Sequence, residues 1–284
     1  MSKKELDIII KIAQEAGEII LQYYRKNMAL RTKFNDPENF LTIADEQVDK
    51  FIRKRLHEEF PDDLVLSEEN DFVPQDYSGR VWMVDPLDGT GYFVHGQDGF
   101  SVMIGLCING IPTLGVVYAS ARKDLFYAEK GKGAFFQNTF QKITNFTKQA
   151  RRIGVSSISQ LNQARFVIRK SMGKERDADR IVQKILVKEK IKEGSSGLKI
   201  SKIAKGDAEF HLSTIQRTAK WDTCAPQVIL EEAGGKLTFV DGTLLNYKQN
   251  SVIWHKLYLA SNGLIHQKVM ERIKKINMLE AQEK

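Results

Sequence analysis

The sequence predicts an α+β protein in which sheets and helices pack in layers. Residues 5–24 carry apolar side chains at helical spacing, which predicts an opening helix. Residues 100–107 and 111–117 are predicted strands, because Asn109-Gly110 between them is a strong hairpin signal. After residue 165, strand-like and helix-like segments alternate to the end of the chain. The mixture of both element types in each half indicates layered sheets and helices.

The first half also contains the elements next to most of the candidate functional residues. Thr42 is predicted to open a second helix, with Asp45 three residues later in a capping arrangement. Residues 64–66 form a short predicted strand that leads into Ser67-Glu68-Glu69. Four apolar residues at 81–84 predict a buried strand, bounded by turn signals. Acidic residues therefore follow both of these strands.

The second half alternates strands with helices. Strands are predicted at residues 165–168, 208–212, 236–240 and 256–260. Helices are predicted at residues 175–187, 198–204, 221–233 and 264–276. The polar, irregular residues 138–150 separate the two halves. We therefore place the domain boundary there, with one domain at 1–148 and the other at 149–284.

Composition limits the functional classes. The 284 residues are 42% hydrophobic and 28% charged, typical of a globular protein, and no stretch is long and apolar enough to span a bilayer. Cys107 and Cys224 stand among apolar neighbours, so we expect a cytoplasmic protein without a disulfide framework. The formal net charge is +7, but the basic residues are dispersed. A solvated basic surface or a small anionic ligand explains this excess, and neither nucleic acid nor a membrane is the expected partner.

Residues 81–90 read Val-Trp-Met-Val-Asp-Pro-Leu-Asp-Gly-Thr and contain two carboxylates three positions apart. Pro86 restricts the backbone between Asp85 and Asp88, and Gly89 allows a tight turn or the close approach of a ligand. Such a corner suits a divalent metal and a phosphate together. A solvated Asp-Gly surface turn explains the same residues, so both interpretations stay open here.

Further acidic residues stand at the ends of predicted elements. Glu68 and Glu69 follow a strand, and Asp222 begins a helix after Trp221. A solvated pair of glutamates and a helix-capping aspartate are the structural alternatives. Carboxylate ligands favour Mg²⁺, and the sequence has no His or Cys cluster that would form a transition-metal site.

Four motifs together resemble the inositol monophosphatase superfamily. In chain order they are Leu41-Thr42-Ile43-Ala44-Asp45, Leu66-Ser67-Glu68-Glu69, Asp85-Pro86-Leu87-Asp88-Gly89-Thr90, and Trp221-Asp222 through Glu232-Ala233-Gly234-Gly235. The resemblance covers nearly the whole chain, and the last two motifs are the specific ones. It implies a layered α/β/α/β/α sandwich, as in inositol monophosphatases and fructose-1,6-bisphosphatases. It also implies a phosphatase that depends on Mg²⁺ and is sensitive to lithium.

The resemblance assigns metal ligands in both predicted domains. Glu68, Asp85 and the Leu87 carbonyl would bind one Mg²⁺. Asp85, Asp88 and Asp222 would bind a second, and Glu68 would help to bind a third, weaker ion through water. Most of these ligands lie in the first predicted domain, whereas Asp222 lies in the second.

The resemblance also places the phosphate and the attacking water. The amides of Gly89 and Thr90 would bind the phosphate. The Thr90 hydroxyl, supported by Asp45, would orient the water and help to deprotonate it. Two metal ions roughly 3.5–4 Å apart would activate the water and stabilise the leaving oxygen.

Substrate choice is predicted from the second half. Residues 220–230 resemble the 3'(2'),5'-bisphosphate nucleotidase branch of the superfamily, and Ser196 with Lys199 matches a Ser-x-x-Lys motif of that branch. By this resemblance, Ser196, Lys199 and Arg217 would contact the substrate. A helix N-cap at Ser196 and a solvated lysine at Lys199 are the structural alternatives.

The sequence departs from the nucleotidase pattern at three places, and one of them is Gly91-Tyr92, where Lys-Glu is common after the threonine. Some members carry a histidine at Met172 and an arginine near Ser213, although Arg217 lies close enough to replace that arginine. We expect a phosphatase that converts 3'-phosphoadenosine 5'-phosphate to AMP and phosphate. The alternatives are an inositol-phosphate or broad sugar-phosphate phosphatase and, from another class, a non-catalytic protein that binds a phosphorylated ligand. The expected assembly is a monomer or homodimer.

Overall fold

Two β-sheets and their flanking helices form five layers in the order α/β/α/β/α, which confirms the fold expected from the resemblance. The computed structural model describes residues 3–26, 30–32, 40–140, 150–169, 181, 183–213 and 218–282. Among these residues, no helix has the length and apolar character needed to cross a membrane. One pair of helices lies between the two sheets, and this middle layer carries part of the candidate site.

Two helices form the first layer. The chain begins with α1 (Lys3–Tyr23), a small hairpin of β1 (Leu30–Thr32) and β2 (Phe40–Thr42), and α2 (Ile43–Glu59). The predicted cap at the start of α2 is confirmed. The Thr42 hydroxyl accepts hydrogen bonds from the amides of Ala44 and Asp45, and the Asp45 carboxylate accepts one from the Thr42 amide.

The first sheet has seven strands that follow the chain order. They are β3 (Leu64–Ser67), β4 (Arg80–Asp88), β5 (Ser101–Ile108), β6 (Ile111–Ala119), β7 (Asp124–Glu129), β8 (Gly133–Asn138) and β9 (Arg151–Ile153). β3 runs parallel to β4, and the remaining neighbours are antiparallel. The predicted hairpin is confirmed, because Asn109 and Gly110 have φ angles of 53° and 78°, as a type I′ turn requires.

Helices α4 (Ser196–Ala204) and α5 (Lys220–Glu232) form the middle layer, after the short helix α3 (Thr90–Val94). α5 lies very close to the first sheet. A Cβ atom on Gly115 of β6 would stand 2.2 Å from the carbonyl oxygen of Ala225, so only glycine permits this approach. The contact packs α5, with Asp222 in its first turn, against the first sheet.

The second sheet has five strands, which are β10 (Arg165–Arg169), β11 (Glu189–Glu193), β12 (Phe210–Leu212), β14 (Lys236–Phe239) and β16 (Tyr258–Ser261). They pair in the order β11-β10-β12-β16-β14. A separate short pair joins β13 (Thr218–Ala219) to β15 (Ile253–Trp254). Helix α6 (His266–Gln282) packs on the second sheet through a cluster that includes Phe166, Phe210, Leu259, Val269 and Ile273.

Several element boundaries differ from the prediction. Strand β11 was not predicted, because Glu-Lys-Ile-Lys-Glu contains a single apolar residue. As an edge strand it needs few apolar side chains, and its charges oppose edge-to-edge association. Residues 185–187 are not helical, so the helix predicted at 175–187 ends earlier, and most of its first half lies outside the described residues. The boundary placed at residue 148 also lies outside them, so the division into two domains stays a prediction.

Candidate active site

The end of β4 carries the two aspartates of the central motif. The strand extends to Asp88, beyond the predicted end at Val84, and its pairing with β5 shifts between Asp85 and Asp88. This shift leaves one extra residue on β4, a β-bulge that changes the direction of nearby side chains. Pro86 fits here because it has no amide proton to donate to the sheet. The Leu87 amide donates a hydrogen bond to Asp85 Oδ1 at 3.0 Å.

Three aspartates from the two halves of the chain meet at this bulge. Carboxylate oxygens of Asp85, Asp88 and Asp222 all lie within 4.8 Å of one another. Asp85 and Asp88 are buried, and Asp222 is partly exposed. Asp222 also caps α5, because its Oδ2 atom accepts a hydrogen bond from the Ala219 amide at 2.5 Å. The capping alternative is therefore correct, and it leaves Asp222 beside the other two carboxylates.

The cluster carries an electrostatic cost. Burial raises the pKa of Asp222 well above its ordinary value, and the negative charges of Asp88 and Glu68 raise it further. Burial also raises the pKa of Asp88, although the Gly197 amide and the Lys199 ammonium favour its ionised form. A hard divalent cation would relieve the repulsion between these carboxylates. The donor set, which consists of oxygens, fits Mg²⁺.

Glu68 and the Leu87 carbonyl lie at the edge of this cluster. Ser67 pairs with Val84 at the end of β3, so Glu68 comes next in register, beside the start of the bulge. Its amide donates a hydrogen bond to the Val84 carbonyl at 3.1 Å. The Leu87 carbonyl accepts a hydrogen bond from the Thr90 hydroxyl at 3.1 Å. Glu68 is not among the three carboxylates that lie within 4.8 Å of one another, although its negative charge acts on Asp222. The metal-ligand roles of Glu68 and of the Leu87 carbonyl stay predictions.

Thr90 and Asp45 form the second part of the site. Thr90 Oγ1 lies 3.2 Å from Asp45 Oδ1, so its single proton can go either to Asp45 or to the Leu87 carbonyl. The other oxygen of Asp45 accepts hydrogen bonds from the amide and the hydroxyl of Thr42 at 2.7 and 2.5 Å. These bonds fix the buried Asp45 carboxylate against α2 and aim one oxygen at Thr90.

Gly89 makes the turn from β4 into α3. Its φ angle of 90° is in the left-handed region that favours glycine. A Cβ atom there would lie 2.9 Å from the Gly99 carbonyl oxygen and 3.1 Å from Ser195 Cβ, so the space beside Gly89 is also restricted. The first amides of a helix have no intrahelical acceptor and are available to an anion. This turn is where the resemblance expected a phosphate.

A loop from the second half closes the site around Asp88. The amides of Ser196 and Gly197 donate hydrogen bonds to the two carboxylate oxygens of Asp88 at 3.2 and 2.7 Å. Ser195, and not Ser196, is the N-cap of α4, because its hydroxyl accepts the Leu198 amide at 3.3 Å. The alternative of an N-cap at Ser196 is therefore wrong by one residue.

The structure also contradicts the alternative that Lys199 is a solvated surface lysine. The residue is 8% exposed, so it is not a solvated lysine. Its positive charge opposes the rise that burial causes in the pKa of Asp88 and Asp222. Burial lowers the pKa of His211, and the charge of Lys199 lowers it further. The ammonium group therefore lies near the carboxylate cluster, where it partly compensates the negative charge. Its predicted contact with substrate stays a prediction.

The remaining residues of the predicted substrate site are only partly described. Arg217 and Met172 lie outside the residues that the structure describes. Ser213 is buried and holds β12 to β16, because it exchanges hydrogen bonds with the backbone of Tyr258 at 2.8 and 2.9 Å. This backbone role explains a small hydroxyl residue at position 213.

Sequence reasoning missed Lys220, which directly precedes the Trp221-Asp222 motif. Its side chain is fully buried, donates a hydrogen bond to the Gln249 carbonyl, and places Nζ 3.2 Å from the centre of the Tyr77 ring. Burial lowers the pKa of Lys220 to about 8. A lysine at the start of a helix is expected to be exposed to solvent, so nothing in the local sequence predicted that Lys220 is buried.

Comparison with known proteins supports the same class of site. The sequence model described as the Inositol monophosphatase family matches residues 2–278. An inositol-1-monophosphatase of Bacillus subtilis is 30% identical over 270 residues, which cover 93% of this chain and 94% of that protein. A 3'(2'),5'-bisphosphate nucleotidase, CysQ, of Aggregatibacter actinomycetemcomitans is 30% identical over 252 residues, which cover 86% and 87%. The solved structure of a Thermotoga maritima IMPase has a TM-score of 0.81 at 27% identity and covers 97% of this chain and 98% of its own.

The five-layer fold and its carboxylate cluster define a metal-dependent phosphatase. The chain belongs to the inositol monophosphatase family. Relatives of similar identity carry the names of phosphatases for different substrates, and a histidinol-phosphatase of Mycobacterium tuberculosis is 28% identical over 277 residues. Family membership therefore leaves the substrate open.

Proposed function

We propose that the chain is a Mg²⁺-dependent phosphomonoester hydrolase with two or three ions. Glu68, Asp85 and the Leu87 carbonyl would hold one ion, and Asp85, Asp88 and Asp222 would hold a second. The observation that carries the proposal is the approach of the three aspartate carboxylates to within 4.8 Å of one another. When bound, Mg²⁺ supplies positive charge that neutralises a phosphate ester and lowers the pKa of water.

Thr90 and Asp45 would act on the attacking water. Because Asp45 Oδ1 can accept the Thr90 hydroxyl proton, Thr90 Oγ1 keeps lone pairs that can accept a hydrogen bond from water. In the proposed role, Thr90 orients the water for in-line attack on phosphorus, and a proton passes towards Asp45. Thr42 holds the second oxygen of Asp45, so the carboxylate does not rotate away.

The phosphate would lie at the turn between β4 and α3. The amides of Gly89 and Thr90 stand at the N-terminus of α3, and such amides are general phosphate ligands. The buried ammonium of Lys199, near Asp88, would offset the charge of a second anionic group on the substrate. Together these groups favour a small ester with more than one negative charge.

Among such esters we propose a nucleotide 3'(2'),5'-bisphosphate, with 3'-phosphoadenosine 5'-phosphate hydrolysed to AMP and phosphate. Similarity to CysQ and the match of residues 220–230 to the nucleotidase branch support this choice. The position of Lys199 supports it as well, because a bisphosphate carries more negative charge than an inositol monophosphate. Ser196 and Arg217 complete the proposed substrate contacts.

An inositol phosphate or another sugar phosphate is the second candidate. The Bacillus subtilis inositol-1-monophosphatase is as similar to this chain as the nucleotidase is, at 30% identity over a longer alignment. The metal site would be the same for either substrate, and the difference would lie in the residues around Ser196 and Lys199. A non-catalytic role is not retained, because the family to which the chain belongs is one of metal-dependent phosphatases.

A substrate panel tests the assignment. Phosphate release by the purified protein with Mg²⁺ would be measured for 3'-phosphoadenosine 5'-phosphate, inositol 1-phosphate, fructose 1,6-bisphosphate and histidinol phosphate. We expect the highest kcat/KM for the nucleotide. A reduction of kcat/KM in Lys199→Met, confined to bisphosphates, would support the role of the lysine. A higher kcat/KM for inositol 1-phosphate or for another ester would contradict the nucleotidase assignment.

A further inference from the structure

Two loops meet beside the phosphate turn, one from each half of the chain. Residues 95–100 follow α3, and residues 193–197 run from the last residue of β11 into the first two residues of α4, a segment called loop 193–197 below. Their backbones are in contact, since a Cβ atom on Gly194 would lie 2.0 Å from the Gly99 carbonyl oxygen. The Ser195 amide donates a hydrogen bond to that same oxygen at 2.8 Å. The two loops therefore form one packed unit.

This unit surrounds the end of β4. Loop 193–197 supplies both amides that bind the Asp88 carboxylate. The Gly99 carbonyl and Ser195 Cβ stand next to Gly89 and limit the space there. A shift of loop 193–197 would therefore move the Asp88 carboxylate and the walls beside Gly89 at the same time.

A single guanidinium connects both loops. Arg122, in the turn between β6 and β7, donates two hydrogen bonds to the two oxygens of Glu193, each 3.0 Å long. It also donates one to Asp98 Oδ1 at 3.1 Å. Glu193 Oε1 accepts the Gly194 amide at 2.8 Å, so the ion pair is joined directly to the loop backbone. Bidentate pairs of this kind restrict both position and orientation.

The environment of Glu193 makes the pair costly to disrupt. The Glu193 side chain is buried, and Lys202 of α4 adds a second cation at 3.2 Å. Although burial opposes ionisation, the hydrogen bonds and charge of Arg122 lower the pKa of Glu193 below its ordinary value. Removal of Arg122 would leave a buried carboxylate with incomplete compensation, so the loop would have to move to hydrate it.

We propose that Arg122 and Glu193 are positioning residues of the phosphatase site, and that their ion pair holds loop 193–197 so that its amides fix the Asp88 carboxylate. The hydrogen bonds and ion pairs described for Arg122 and Glu193 do not include Asp88, so their effect would pass through the loop backbone. The consequence for metal binding rests on the proposed role of Asp88 as a ligand. The consequence for the loop does not depend on that role.

The test compares Arg122→Gln with Arg165→Gln. Arg165 is a matched control, because it also donates to both oxygens of a buried glutamate, Glu209, which likewise accepts a backbone amide. It lies at the start of β10 and contacts no residue of the two loops through these bonds. Hydrogen exchange would be measured for residues 193–199 without metal, together with the unfolding midpoint in urea. The Mg²⁺ concentration for half-maximal phosphate release is the third measurement.

In Arg122→Gln we expect hydrogen exchange at the amides of residues 194–198 to accelerate at least about tenfold. Without the ion pair the loop is no longer held in place, so these amides open to solvent more often. We expect the half-maximal Mg²⁺ concentration to rise about tenfold, the lower end of the range typical of lost support around metal ligands. Glu193→Gln should give the same pattern. Arg165→Gln should match the wild-type protein in the exchange rates of residues 194–198 and in the half-maximal Mg²⁺ concentration. This should hold even if its unfolding midpoint in urea falls.

The proposal is overturned if Arg122→Gln and Arg165→Gln have the same exchange rates and the same Mg²⁺ requirement. If Arg122→Gln does not fold, Arg122→Lys replaces it, and about a two- to threefold rise in the Mg²⁺ requirement is expected from the loss of one hydrogen bond. Wild-type values in Arg122→Lys would then overturn the proposal. A wild-type protein without phosphatase activity would contradict the proposed function, whereas the exchange measurement would still decide the positioning role.

Discussion

Asp45 uses its two carboxylate oxygens for different purposes. Oδ2 completes the capping box of α2 with Thr42, and Oδ1 accepts a hydrogen bond from Thr90, 45 positions along the chain. The sequence predicted the cap, and the family resemblance implied the support of Thr90. They are compatible because a carboxylate has two oxygens, and the cap holds one so that the other keeps a fixed direction. Asp222 follows the same logic, since it caps α5 and faces the cluster.

Removal of the Thr90 hydroxyl tests whether Thr90 and Asp45 act together on the attacking water. In Thr90→Ala we expect kcat to fall about 10²- to 10⁴-fold, because the water loses its orienting and proton-accepting group. The half-maximal Mg²⁺ concentration should change little, since Thr90 is not a proposed ligand. Thr90→Ser is the control and should keep most of the activity. Steady-state kinetics at saturating Mg²⁺ measures both variants, and an unchanged kcat in Thr90→Ala would exclude the proposed role.

At the scale of elements, the starts of α4 and α5 bring the second half of the chain to the site. The sequence predicted both helices, but the cap of α4 falls at Ser195 and turns the next two amides towards Asp88. Two consecutive serines offer two N-cap positions of equal propensity, so propensity alone cannot choose between them. The burial of Lys199 follows from the same packing, because α4 lies between the two sheets.

The substitution Gly115→Ala tests whether the close approach of α5 to the first sheet is required for stability and for the site. In Gly115→Ala we expect a loss of about 1–3 kcal/mol in the free energy of unfolding, because the added methyl group overlaps the Ala225 carbonyl. The displacement of α5 should also raise the half-maximal Mg²⁺ concentration, since Asp222 lies in its first turn.

Gly154→Ala is the matched control for this substitution. The nearest atom to a Cβ at position 154 is the Ala233 carbonyl oxygen, at 3.7 Å, so the methyl group has ordinary contact distance. Urea denaturation would measure both variants. Equal stability of Gly115→Ala and Gly154→Ala would show that the close approach of α5 to the sheet is not a constraint.

At the scale of the whole molecule, the site is assembled from residues that are distant in sequence. The motifs containing Asp45, Glu68, Asp85 and Asp222 could be predicted because each combines a local pattern with a resemblance to known phosphatases. The Arg122–Glu193 pair could not, because its partners are 71 positions apart and neither belongs to a motif. Such a contact depends on how the two halves pack, which no local periodicity encodes.

The central claim is that Asp85 joins the two halves of a metal-dependent phosphatase site, and Asp85→Asn tests it most directly. The variant removes the negative charge of the buried Asp85 from the carboxylate cluster and keeps the size of the side chain. Phosphate release would be measured over a Mg²⁺ titration, beside Asp207→Asn as a control at an aspartate whose side chain is 45% exposed. We predict that Asp207→Asn keeps wild-type activity and that Asp85→Asn loses at least about 10³-fold in kcat at every Mg²⁺ concentration. Activity within about threefold of wild type in Asp85→Asn would contradict the claim, because differences of that size fall within the ordinary effect of a substitution away from a site.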